Sequence, residues 1–282
     1  MSGPSGPADP TWRGAEPPEI VLGWADYARA TLRGVLVVLL LICGIIVKLA
    51  VLLVERLVRG GQRVWSPVVT QGVCRLVFVI LGLRLETRGA RMAGPGAYVA
   101  NHSSWLDIFA LNARRNVLFV SKAEVANWPG IGMLAKLTGT VFINRDRRAA
   151  RAQPKLIEAR LLAGDRLLFF PEGTSTDGRR ILPFKTTLFE AFLSEEVKSD
   201  LQVQPVTVVY HAPPGADQAF YGWWGDMALG PHLLQVLGAR CQGHVEVVYH
   251  EPLRVADFAH RKALARAAEA RLRSAHPSED IA

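Results

Sequence analysis

The sequence predicts an α/β fold, a largely buried sheet flanked by helices, behind an N-terminal membrane helix or helices. Three observations point there. Hydrophobic residues make up 50% of the 282, and the mean hydropathy is +0.17, greasier than a purely soluble domain. Residues 35–47 form an unbroken apolar run. From Arg88 onward, short β-rich runs alternate with helical stretches, the pattern of a sheet with packed helices.

Each segment follows in order. Residues 1–30 are expected to be a disordered tail, since 1–19 are rich in Pro, Gly and Ser. No cleaved signal is expected, because mostly polar sequence precedes the apolar run. Residues 31–64 read as a transmembrane helix with its flank. At 1.5 Å per residue, 35–54 reaches about 30 Å, the thickness of a bilayer core. Lys48 lies near one end of that stretch and can snorkel to the interface. Arginines at 29 and 33 on one side, and at 56, 59 and 63 on the other, leave the orientation open.

Residues 65–87 read as an interfacial or second membrane helix, because 68–85 is apolar but broken by Gln71, Gly72, Arg75 and Gly82. The α/β domain is expected over 88–256. Its strands are predicted at 97–100, 117–120, 141–143, 167–170, 203–210 and 244–250. Its helices are predicted at 105–113, 148–162 and 187–193. A basic helix and tail complete the chain over 257–282. All the motifs below lie beyond Thr87, so a chain starting there is expected to keep the α/β core.

The net charge of +8 suits an anionic partner: nucleic acid, an anionic bilayer, or an acidic or phosphorylated carrier. No basic–aromatic stripe supports nucleic acid, which is set aside. Three cysteines, Cys43, Cys74 and Cys241, have neither metal-knuckle nor disulfide spacing. No metal and no cofactor is expected.

Four short blocks carry the chemistry. In the first, 101–107 (NHSSWLD), His102 follows a predicted strand and Asp107 sits in the first turns of the next helix. An aspartate there can reach back to one imidazole nitrogen and leave the other as a base, as in a catalytic triad. In the second, 141–148, a strand delivers Arg145 to its C-terminal end, where a guanidinium can grip phosphate through two parallel hydrogen bonds. Lys122 follows the 117–120 strand as a further cation. In the third, 169–175 (FFPEGTS), a buried strand runs into a bend presenting Glu172, Gly173 and Thr174. Ligands in α/β sheets bind beyond the carboxyl ends of strands, so this turn and the His102 turn can share one crevice. The fourth, 203–208, is a β-run with Pro205 near its start and reads as a core strand.

In this order and spacing, the blocks resemble the lysophosphatidic acid acyltransferase (1-acylglycerol-3-phosphate O-acyltransferase) family, bacterial membrane type. The resemblance covers about residues 75–255, including the SKAEV stretch after 117–120. It implies a glycerolipid-acyltransferase-like mixed sheet and a transfer from acyl-carrier protein or acyl-CoA to a lysophospholipid hydroxyl. The implied acceptor is 1-acylglycerol-3-phosphate. Lyso-ornithine lipid is an alternative, since the 220–233 segment looks like that of alphaproteobacterial relatives that acylate it. The resemblance further implies His102 and Asp107 as the general-base pair, with Lys122, Arg145, Glu172, Gly173 and Thr174 binding substrate. The implied location is the bacterial inner membrane, with the site at its cytosolic face. One departure is Thr187, where the family often has glycine. Trp223 and Trp224 are expected at the bilayer interface. A serine hydrolase is disfavoured because no G-x-S-x-G occurs. A catalytically inactive lipid-binding or scaffold protein is the rival of another class.

Overall fold

The computed structural model describes residues 17, 19–94, 96–128, 130–143 and 153–277. Two helices come first, α1 (Trp24–Arg59) and α2 (Ser66–Leu81). The strands are β1 (Arg84–Arg88), β2 (Gly96–Ala100), β3 (Leu118–Lys122), β4 (Val141–Ile143), β5 (Leu167–Phe169), β6 (Gln202–His211), β7 (His244–Tyr249) and β8 (Leu253–Arg254). Between and after them lie α3 (Asp107–Arg114), α4 (Ile131–Thr138), α5 (Gln153–Leu162), α6 (Leu229–Gly238) and α7 (Arg261–Arg273). Thr187–Leu193 is a 3-10 helix.

The strand order is β1-β7-β6-β2-β5-β3-β4, with β8 beside β6. The sheet is mixed. β4, β3, β5, β2 and β6 run parallel, while β7 and β8 lie antiparallel to β6. Every residue of β2 is buried, as a strand covered on both faces demands. Gly96 is required there, because a Cβ at that position would lie 2.0 Å from the Gln202 carbonyl oxygen of β6.

Helices cover both faces. One core cluster joins Val206, Val208, Val245 and Val247 of the sheet to α1, α2, α3 and α6. The other joins Ala97, Val99 and Val203 to α5, the 187–193 helix and α7.

Several boundaries differ from the sequence reading. The 1–30 tail is shorter than expected, because α1 starts at Trp24. Asp26 caps it by accepting the Gly23 N–H at 2.8 Å, and Arg29 and Arg33 then dock on α6. The proposed break at 88 falls inside the sheet, since β1 already pairs with β7 from Arg84. The apolar stretch after residue 65 is α2, one face of which is buried through Cys74, Val77, Phe78 and Leu81 while Val68, Leu76 and Val79 stay exposed. It is therefore part of the domain's own core, which speaks against the expectation that a chain from Thr87 keeps that core. Residues 257–260 are not in the C-terminal helix, which begins at Arg261. α4 and α6 were not expected at all.

α1 is the one described helix long and apolar enough to cross a membrane. Leu36, Leu39, Ile42, Ile46, Leu49 and Leu53 face outward along it. The three cysteines are free thiols. Thr187 needs no glycine, because no described non-glycine residue has a positive φ.

Candidate active site

The parallel strands β2, β5, β3 and β6 end on one edge of the sheet, and the predicted turns meet there. Just past β2, Asn101 is buried and clamps the neighbouring strand. Its side-chain amide donates to the Val208 carbonyl at 2.8 Å and its oxygen accepts the Val208 N–H at 2.7 Å. This two-point bond fixes where the chain leaves the sheet, and so where His102 stands.

His102 Nδ1 lies 2.7 Å from Asp107 Oδ2. The same oxygen accepts the Ser103 and Ser104 N–H groups at 2.8 and 3.0 Å, while Oδ1 accepts the Tyr210 hydroxyl at 2.7 Å. A carboxylate only accepts, so Nδ1 carries the proton and the Nε2 lone pair is left as a base. Asp107 is 0% exposed, whereas the His102 side chain is 21% exposed. The base is thus reachable and its orienting acid is sealed. Phe170 stacks on the imidazole, with centroids 4.1 Å apart and planes 14° from parallel.

Glu172 stands beside this pair on the β5 turn, 1% exposed. It accepts the His102 N–H on Oε1 and the Leu182 N–H on Oε2, both at 2.7 Å. Burial pushes its carboxyl up to about 8, against the pull of those two N–H groups. Each of its two oxygens thus holds a backbone N–H, one of them that of His102. The Thr176 N–H completes the cradle by donating to the His102 carbonyl at 2.9 Å.

Gly173 follows with φ +73°, a left-handed turn where a Cβ would come within 2.7 Å of Lys185 Nζ. Thr174 is half-buried on the same turn. Lys122 ends β3 at this edge, half-buried. Arg145 lies outside the described residues. The strand expected before it is β4, which pairs with β3.

The bond from Tyr210 to Asp107, and the contact of the 212–243 segment with the His102 turn, escaped the sequence reading. Tyr210 ends the β-run of the fourth block, but only the adjacency of β6 and β2 brings it to Asp107. Trp224 is 3% exposed, and the Trp223 N–H donates to the Ser103 carbonyl at 2.8 Å. Both were expected at a bilayer interface; the Trp224 side chain is buried instead, and the half-exposed Trp223 is tied to the His102 turn through its backbone.

The Tyr210 bond gives a direct expectation. A hydrogen bond to a charged group contributes about 1.5–3 kcal/mol, and Asp107 keeps three other donors. Tyr210→Phe should lower kcat about tenfold, the equivalent of about 1.4 kcal/mol of barrier, with both KM values little changed. Steady-state kinetics on the variant measure this, and an unchanged kcat would leave Tyr210 a packing residue.

Residues 84–209 match the profile of a family described as acyltransferase. The chain is 54% identical to a lyso-ornithine lipid O-acyltransferase of Rhodobacter capsulatus, over 94% of this chain and 96% of that relative. It is 34% identical to a 1-acyl-sn-glycerol-3-phosphate acyltransferase of Neisseria gonorrhoeae, over 46% of this chain and 52% of the relative. Among solved structures, the 1-acyl-sn-glycerophosphate acyltransferase PlsC of Thermotoga maritima shares the fold, with a TM-score of 0.57 at 19% identity, covering 87% of this chain and 95% of that one.

Proposed function

Since the chain belongs to the acyltransferase family that contains these lysolipid O-acyltransferases, we propose that it transfers a fatty-acyl group to the free hydroxyl of lyso-ornithine lipid. The observation that carries the chemistry is the His102–Asp107 pair, with Nε2 left to accept a proton at an accessible strand edge. His102 Nε2 takes the proton of the acceptor hydroxyl. The oxygen attacks the thioester carbonyl of acyl-carrier protein or acyl-CoA. The tetrahedral intermediate collapses, the C–S bond breaks, and the thiolate recovers the proton from the imidazolium. Asp107 stabilises the charged ring meanwhile.

The acceptor rests on similarity along nearly the whole chain to a lyso-ornithine lipid enzyme. It displaces 1-acylglycerol-3-phosphate as the preferred reading. An ornithine headgroup offers a carboxylate where a phosphate would stand, and a guanidinium binds either in the same two-point manner. In this reading Arg145 and Lys122 hold that anion, and Gly173 and Thr174 line the acceptor's path. The rival scaffold reading is disfavoured by an intact, hydrogen-bonded dyad. The apolar α1 suits an enzyme at the inner membrane, working at the cytosolic face where acyl thioesters are made.

The test compares the two acceptors side by side. Purified full-length protein in lipid vesicles receives acyl-carrier protein or acyl-CoA thioesters with lyso-ornithine lipid and lysophosphatidic acid in turn. A kcat/KM at least tenfold higher for lyso-ornithine lipid is expected, the equivalent of about 1.4 kcal/mol. Equal or reversed preference returns the acceptor to 1-acylglycerol-3-phosphate.

A further inference from the structure

The 212–243 segment is not absorbed by the chemistry above, yet it touches the catalytic turn twice. The Trp223 N–H donates to the Ser103 carbonyl at 2.8 Å. Trp105, two residues before Asp107, donates its indole Nε1–H to His232 Nδ1 at 3.0 Å. His232 lies on α6, 0% exposed. An indole nitrogen only donates, so His232 Nδ1 must accept and the ring proton sits on Nε2. That nitrogen in turn donates to the Phe220 carbonyl at 3.3 Å, and Gln235 Nε2 donates to the same oxygen at 3.0 Å. The neutral ring is thus used at both nitrogens. Burial lowers its pKa to about 4, which keeps it in that single-proton form at neutral pH.

The other end of α6 is held by α1. Arg29 Nε donates to the Gly238 carbonyl at 2.8 Å, and Arg33 Nη1 donates to the Leu237 and Ala239 carbonyls at 2.8 and 2.7 Å. Two cations on the last carbonyls of a helix satisfy acceptors left without partners and meet its negative pole. Hydrogen bonds and one helix therefore connect the apolar α1 to the turn between His102 and Asp107.

We propose that His232 is a positioning residue for the catalytic pair, acting through Trp105, and that α6 fixes the catalytic turn relative to α1. The inference rests on His102 and Asp107 being the dyad. His232 touches neither substrate nor the reacting atoms. Its role is to hold the indole, and with it the turn whose N–H groups at Ser103 and Ser104 bind Asp107. Loss of the acceptor then lets the turn shift and the imidazole lose its alignment, which lowers turnover and leaves binding alone.

The experiment is a double-mutant cycle on the full chain in lipid vesicles, with His102→Ala as reference. His232→Leu removes the acceptor, Trp105→Phe removes the donor, and His232→Asn restores an acceptor near the place of Nδ1. Each of the first two should lower kcat about tenfold, the scale of one hydrogen bond to a buried group, with KM for both substrates within about twofold. The double variant should lose no more than either single, because both break the same bond. His232→Asn should recover most of the rate, which a loss of packing alone would not permit. Additive losses, a shift in KM equal to that in kcat, or His232→Leu with a wild-type kcat would each overturn the proposal. If His232→Leu fails to fold, Trp105→Phe and His232→Asn still decide the matter. Full activity in His102→Ala would instead remove the dyad reading beneath it.

Discussion

His102→Ala should lower turnover by a factor of about a hundred to ten thousand, the range that a positioned general base supplies. The structure makes this a clean substitution. His102 is held through its backbone, whose N–H is bound by Glu172 and whose carbonyl is bound by Thr176. Removing the imidazole leaves those bonds intact, along with the Ser103, Ser104 and Tyr210 bonds to Asp107. Yield, melting temperature and membrane association should therefore match wild type while kcat collapses. Radiolabelled acyl transfer under saturating donor and acceptor is the measurement. Turnover within threefold of wild type would mean that some other group takes the hydroxyl proton.

A chain that begins at Thr87 should not fold. It lacks α1, α2 and most of β1, and with them Val77, Phe78, Leu81 and Leu83, all buried in the cluster that backs β6 and β7. Burying four such side chains contributes about 6–12 kcal/mol, comparable with the whole stability of a domain, about 5–15 kcal/mol. Near-UV circular dichroism should be flat, and hydrogen exchange in β6 and β7 should be fast. A cooperative melt in the shortened chain would show that the helical layer is an addition and not part of the core. Truncation at Thr87 therefore removes part of the core along with the apolar α1.

That result also marks where sequence reading ran short. Strands with strong β-character and turn residues at their ends, such as those leading to His102 and Glu172, were legible because local chemistry dictates them. The 65–87 stretch was harder. An apolar helix that packs on a domain has the same composition as one that meets lipid, and only the third dimension shows which side of α2 is covered. The same ambiguity placed the buried Trp224 at a surface, since an indole suits an interface and a core alike. The site divided in the same way. His102 and Asp107 are near neighbours in the chain and gave a readable spacing. Tyr210 and His232 reach them across 103 and 127 residues respectively, to Asp107 and to Trp105, so strand order and helix docking had to be known first. Glu172 was singled out for the right turn, but its direction was not readable, because nothing local says whether a carboxylate in a tight bend faces in or out.

The parallel ring of Phe170 has a magnetic consequence. A proton above the face of an aromatic ring is shielded by the ring current, and the His102 imidazole lies over Phe170 with 4.1 Å between centroids. Its carbon-bound protons should resonate upfield of those of a histidine in open solvent. Phe170→Leu should return them toward ordinary positions without touching the bond to Asp107. The His102 imidazole thereby carries its own spectroscopic label. Titration, donor binding and acceptor binding at this one ring can each be followed against a background of only six other histidines.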